Sequence, residues 1–141
     1  MEFTEFNKKF GTEQQCRDYL YSMRWPGGFR CPECQYDKAW HIGKDRYKCT
    51  RCRHQVSLIY GTLFQGTQSK LLPCWFKSIW YVSAGGYNMT EMQKISGIGS
   101  NNTALKWFRK LNRIKLNSIE YRAKGSITFR ELLQNAIDSA P

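Results

Sequence analysis

Two short cysteine pairs, Cys31-Pro32-Glu33-Cys34 and Cys49-Thr50-Arg51-Cys52, constrain this chain more than any other feature. A C-x-x-C turn folds back so that both thiolates face one centre, and a second such turn completes a tetrahedron about Zn²⁺. Thiolates are soft ligands and suit zinc better than calcium or magnesium. Residues 35–48 separate the pairs, which is the length of one β-hairpin with Gly43-Lys44-Asp45 as its turn. The competing reading is two disulfides or four free thiols. The opening residues Met1-Glu2-Phe3-Thr4-Glu5 lack the basic start and apolar stretch of a signal peptide, so a reducing compartment and a metal are expected. One structural zinc on Cys31, Cys34, Cys49 and Cys52 follows. Cys16 and Cys74 sit in apolar helical patterns and are expected as small buried side chains. His41 and His54 are expected at the surface or in packing, because four sulfurs already fill the metal's coordination.

The chain carries 22 Lys and Arg against 11 Asp and Glu, a net charge of +11 in 141 residues. That length holds one ordinary domain or two small modules sharing a core. The excess is uneven. Residues 61–116 hold eight basic side chains and one acidic, whereas residues 117–141 hold three of each. A polyanion is the expected partner of the middle segment. No apolar run of about 18 residues exists, so a membrane span is not expected. The expected location is cytoplasmic, at the nucleoid.

The pattern predicts an α+β, mostly helical fold in four segments: 1–28 helical, 29–60 a zinc ribbon, 61–116 a helix-turn-helix unit, and 117–141 a C-terminal helical extension. Thr12 and Gln15 form a capping box, after which Cys16, Tyr19, Leu20 and Met23 make one apolar stripe. Trp25-Pro26-Gly27-Gly28 ends that helix. Strands are expected at 39–42, 46–49 and 55–60, and a glycine-bounded turn at 61–66. Residues 70–84 are apolar around much of a helix, as befits the central helix of a small bundle. A short helix at 88–95, a turn at 96–100 and a long helix at 101–116 then give the helix-turn-helix layout. Thr128 and Glu131 form a second capping box ahead of Leu132, Leu133, Ala136 and Ile137.

On the 101–116 helix, Ala104, Trp107, Phe108, Leu111 and Ile114 fall on one side, and Asn102, Lys106, Arg109 and Arg113 fall on the other. The second row contains no acid, unlike an ordinary solvated face. Arg or Lys can read guanine and Asn can read adenine in the major groove. Asn101, Asn102 and Lys106 are therefore the candidates for base readout, and Arg109, Lys110 and Arg113 for phosphate contacts. Arg46, Lys48, Arg51 and Arg53 give the ribbon a second basic surface for DNA.

These features together make the chain resemble the N-terminal region of zinc-ribbon insertion-sequence transposases, the bacterial relatives of Merlin-type elements. The residues that carry the likeness are Phe10-Gly11-Thr12-Glu13 with Cys16, then Arg24-Trp25-Pro26, the two cysteine pairs, Tyr47, and Arg53-His54-Gln55. Gly61-Thr62-Leu63-Phe64, Trp75-Phe76 and Thr103-Ala104 continue it. The resemblance implies binding to terminal inverted repeats of a mobile element. Such transposases carry an RNase H-like domain with three metal-binding carboxylates. The 25 residues after Leu116 hold Glu120, Glu131 and Asp138 and are too few to fold one. The expected protein is thus a non-enzymatic binder of double-stranded DNA, either a separated DNA-binding half of a transposase or a small protein derived from one. A homodimer or a protein partner is also open. The rival reading is a protein-interaction module of phage or mobile-element origin that modulates a nucleic-acid enzyme.

Overall fold

The computed structural model describes residues 2–141. Helices α1 (Phe3–Phe10) and α2 (Glu13–Arg24) precede strands β1 (Ala39–His41), β2 (Arg46–Cys49) and β3 (Gln55–Ser57). A single 3-10 turn, Ser69–Leu71, leads into α3 (Leu72–Ser83), followed by α4 (Met89–Ser96), α5 (Asn101–Asn117), α6 (Ile119–Lys124) and α7 (Phe129–Ile137). The fold is α+β and mostly helical, as the pattern implied.

The core is built around α3. Leu72, Trp75, Phe76, Ile79 and Val82 are buried on it, and Trp80 is half-buried against Phe3 and Phe6. Burial on so much of the circumference is possible because α1, α2, α4, α5 and α7 all pack on this one helix. Helix α1 lies in the 1–28 segment expected to be helical, but as a separate helix ahead of the one that Thr12 caps. It has no side-chain cap, and it is held by burying Phe6 and Phe10. Both rings meet Phe129 of α7, with centroids 4.9 and 5.3 Å away, so the two ends of the chain share one aromatic cluster.

The sequence's caps are present in the structure. Thr12 Oγ1 accepts from the Gln15 N–H while Gln15 returns a bond to the Thr12 N–H, and Thr128 and Glu131 repeat the exchange. Each box satisfies orphan donors of a first helical turn. The 61–66 stretch, expected as a turn, also delivers Leu63 and Phe64 into the core, and the Leu63 N–H donates to the Ala136 carbonyl. The expected C-terminal helical extension is two helices, of which the short α6 is capped by Ser118 and stopped by Gly125 in the left-handed conformation.

The sheet is a three-stranded antiparallel meander in the order β1-β2-β3. Trp40 pairs with Lys48, which pairs with Gln55; His41 pairs with Tyr47, which pairs with Val56. Paired residues share a face, so the two sides of the sheet differ in kind. The Tyr47 side packs on the helical body through Tyr21, Trp25 and Phe29. Two polar ties fasten the same junction. The guanidinium of Arg24, at the end of α2, donates to the carbonyls of Ser57 (2.8 Å) and Leu58 (2.5 Å). In the hairpin turn, Asp45 Oδ2 accepts from Ser69 Oγ at 2.8 Å. Burial pulls the Arg24 pKa below its usual value, and the two carbonyls compensate its partial desolvation.

Candidate metal centre and basic surfaces

The two cysteine turns are built alike. In the first, the Gln35 N–H donates to the Cys31 carbonyl at 2.9 Å, and the Cys31 N–H to the Tyr36 carbonyl at 2.9 Å. In the second, the Arg53 N–H donates to the Cys49 carbonyl at 3.1 Å, and the Cys49 N–H to the His54 carbonyl at 2.9 Å. The residue after each second cysteine takes a left-handed conformation, with φ of 65° at Gln35 and 66° at Arg53. Neither is glycine, and these are the non-glycine residues with positive φ in the described chain. A strained backbone at both equivalent places shows that the turns are bent to present sulfur.

The four sulfurs lie within 4.8 Å of one another. Cys31 Sγ is 3.6 Å from Cys52 Sγ, and Cys34 Sγ is 3.5 Å from Cys49 Sγ. Zn–S bonds of about 2.3 Å in a tetrahedron put sulfurs ~3.8 Å apart, so the donor set fits zinc. A disulfide needs ~2.05 Å, and all six cysteines are free. The Cys49 thiol is primed for metal. Desolvation pushes it up, but N–H groups of Cys52 and Arg51 and hydrogen bonds from Cys34 and Cys52 outweigh this and lower it from 9.0 to about 6. The site therefore holds one structural zinc on Cys31, Cys34, Cys49 and Cys52. Of the remaining cysteines, Cys16 is buried with its sulfur 3.4 Å from the Phe10 carbonyl oxygen, and burial pushes its thiol up to about 12. Cys74 is half-buried on α3, with its thiol also raised by burial. His41 stacks on Tyr47 at 4.7 Å and lies outside the metal cluster, as does His54.

Helix α5 is capped by the Ser100 hydroxyl, which accepts from the Thr103 N–H. Gly97, with φ of 81°, ends α4 and turns the chain toward it. Ala104, Trp107 and Leu111 are buried, and Phe108 and Ile114 pack at the edge of the core. Asn102, Lys106, Arg109 and Arg113 are exposed in one row. The ion pairs among the described residues are Arg17–Glu13 and Lys124–Glu131, so no acid neutralises that row. Lys110 is half-buried and, with Arg113, lines a recess of 380 Å³ against Asn135 of α7. Asn101 is exposed, but its Oδ1 already accepts from Gln93 Nε2 of α4 at 2.8 Å. Sequence reasoning missed Gln93, because this bond joins two helices across a turn. Lys115 behaves differently from its neighbours: its ammonium donates to the Val82 carbonyl and ties α5 to the end of α3.

On the ribbon, Arg46, Arg51 and Arg53 are exposed and Lys48 is half-buried. Arg46 and Lys48 lie on the sheet side away from the helical body. Arg51 rests over the Tyr36 ring at 5.7 Å and Arg53 over the Trp40 ring at 5.2 Å.

No helix among the described residues is long and apolar enough to cross a membrane. No curated protein and no solved structure matches the chain. Residues 11–55, which span α2, both cysteine turns and the start of β3, match the transposase zinc-ribbon domain family. That stretch is therefore a zinc ribbon related to those of transposases.

Proposed function

We propose that this chain recognises specific sites in duplex DNA, with α4 and α5 acting as a helix-turn-helix and α5 entering the major groove. The observation that carries the reading is the row Asn102, Lys106, Arg109 and Arg113, open to solvent and free of acids, on a helix whose opposite face is buried. In this reading Asn102 and Lys106 meet base edges, and Arg109, Lys110 and Arg113 meet phosphates. Asn101 already shares its acceptor oxygen with Gln93, so reading adenine through both amide groups would compete with that bond, and Asn102 is the better placed amide. The ribbon cations Arg46, Lys48, Arg51 and Arg53 extend the contact to neighbouring DNA. A transposase-type ribbon supports nucleic acid as the partner, and terminal inverted repeats of a mobile element are the proposed target.

We assign no catalytic step to this chain. Glu131 is engaged by its capping box and Lys124, Glu120 accepts from Asn135, and Asp138 accepts from Gln134. Each carboxylate has a local structural partner. A second reading, a module that docks on another protein, draws support from Leu116 and Ile119, which are 56 % and 82 % exposed at the α5–α6 corner.

Selection from random duplexes with zinc-loaded protein, carried out at two ionic strengths, tests the reading. The expected result is an enriched motif, with affinity falling at a log–log salt slope of about −5 for ~6 phosphate contacts. No motif and a flat salt profile would overturn it and favour the protein-docking module.

A further inference from the structure

We infer that the outer face of the zinc ribbon is a stacking site for an unpaired DNA base, centred on Trp40. This face is separate from the α5 row, and the inference does not depend on that helix reading duplex DNA. Trp40 stands on the edge strand β1 and remains 46 % exposed. Its cross-strand partner is Lys48, whose partner in turn is Gln55, so the three side chains form a line across the open side of the sheet. Arg46 lies two residues from Lys48 on that side and is exposed. Arg53 places its guanidinium over the indole at 5.2 Å.

Trp40 is not among the side chains of the core, and its ring meets the Arg53 guanidinium instead. The helical body packs on the other side of the sheet, where Tyr47 provides the aromatic contacts. What the open side offers is a flat π surface with cations on both flanks and no carboxylate on the paired positions. Single-stranded nucleic acid is bound by this combination, since bases stack on aromatic rings while Lys and Arg follow the phosphates. Bases in an intact duplex are stacked on one another and cannot reach a ring lying on a sheet. The occupant is therefore a strand with unpaired bases, such as a melted or overhanging DNA end. Lys48 and Arg46 meet its phosphates, and Gln55 offers an amide to a base edge.

The test uses the zinc-loaded full chain, a single-stranded oligo(dT) and a blunt two-strand duplex without loops, with binding followed by anisotropy. Trp40→Ala is expected to weaken oligo(dT) binding roughly tenfold, as loss of one stacked base implies, and to leave duplex binding unchanged. Trp40→Phe is expected to keep most of the affinity. Intrinsic fluorescence gives a second readout that does not need the alanine variant. Oligo(dT) should quench the wild-type protein, and Trp40→Phe should remove most of that quenching. Unchanged oligo(dT) affinity in Trp40→Ala, or equal quenching in wild type and Trp40→Phe, would overturn the inference. So would an equal loss on duplex and single strand, or a tenfold preference for oligo(U) over oligo(dT). Failure of the α5 reading would show instead as lost motif selection with oligo(dT) binding intact.

Discussion

The indole of Trp107 on α5 lies on the indole of Trp75 on α3, with ring centroids 3.8 Å apart and 17° between their planes. Trp75 is further fixed by its Nε1–H, which donates to Thr67 Oγ1 at 3.0 Å. The exposed row of α5 is thus aimed by a stacked pair on its hidden side. Trp107→Ala is expected to cost about 3–5 kcal/mol in urea unfolding. DNA affinity should fall with it, although Trp107 itself is buried. Trp107→Phe should cost markedly less.

The metal centre predicts a definite response to acid. A group whose pKa is lowered on folding contributes stability above its unfolded value and loses it as the pH falls through the folded value. Within the sulfur cluster the hydrogen bonds that lower Cys49 to about 6 raise Cys52 to about 12, so the two shifts oppose one another and the response to acid is set by the metal. Zinc competes with protons for the same thiolates, so loading should be complete at neutral pH and decline with acidification. Release measured with a colorimetric zinc chelator checks this. Cys49→Ser should lose zinc at neutral pH together with the ordered NMR signals of residues 29–60, and retention of both would sink the tetrathiolate assignment.

Gln35 and Arg53 occupy left-handed conformations that favour glycine. Gln35→Gly is expected to be neutral or to stabilise by up to about 1 kcal/mol, and Gln35→Val to destabilise by ~1–2 kcal/mol. Thermal unfolding of the zinc-loaded protein distinguishes them. Arg53→Gly should relieve the same strain while removing the cation over Trp40. Its stability and its nucleic-acid affinity should therefore move in opposite directions.

A ring, not only a chain reversal, explains Gly86. A Cβ there would lie 2.4–2.6 Å from carbons of the Tyr81 ring. That tyrosine braces the α3–α4 corner: its hydroxyl donates to Glu91 Oε2 at 2.7 Å and accepts from the Asn88 N–H at 3.1 Å. Gly86→Ala is expected to cost about 1–3 kcal/mol by displacing the ring. Tyr81→Phe should cost about 1–2 kcal/mol through two lost hydrogen bonds. Chemical denaturation measures both.

Within the α5 row, the positions should separate by role. Lys106→Ala is expected to relax sequence preference and cost about 1–3 kcal/mol on the selected site, whereas Arg113→Ala should weaken all sequences alike and lower the salt slope by about 1. Equal effects on selected and scrambled duplexes for both variants would remove Lys106 as a reader.

The parts of the molecule legible in its sequence are those whose cause is local. Thr12 with Gln15 and Thr128 with Glu131 cap their helices through residues three apart, and the cysteine turns close within four. Within the 1–28 helical segment α1 was not placed as its own helix, because Phe3, Phe6 and Phe10 gain their meaning only from Phe129 and Trp80, far along the chain. The connector at 61–66 is the turn that its framing glycines indicate, but the burial of Leu63 and Phe64 depends on α7 and could not be read locally. Gln93 was invisible for the same reason: only the angle between α4 and α5 brings its amide to Asn101. The metal ligands, in contrast, needed no tertiary information beyond spacing.

Arg24 and Asp45 bolt the ribbon to the helices at one end of the sheet, where Arg46 pairs with Ser57 and the Leu58 N–H donates to the Asp45 carbonyl. A ribbon secured at two points is not a tethered arm that can search for its own ligand. In the proposed reading it is one jaw of a fixed gauge, with α5 as the other. Any single DNA molecule touching both must match a distance set by the protein, so inserting a few base pairs between the two contacted stretches should lose one contact entirely rather than stretch the complex.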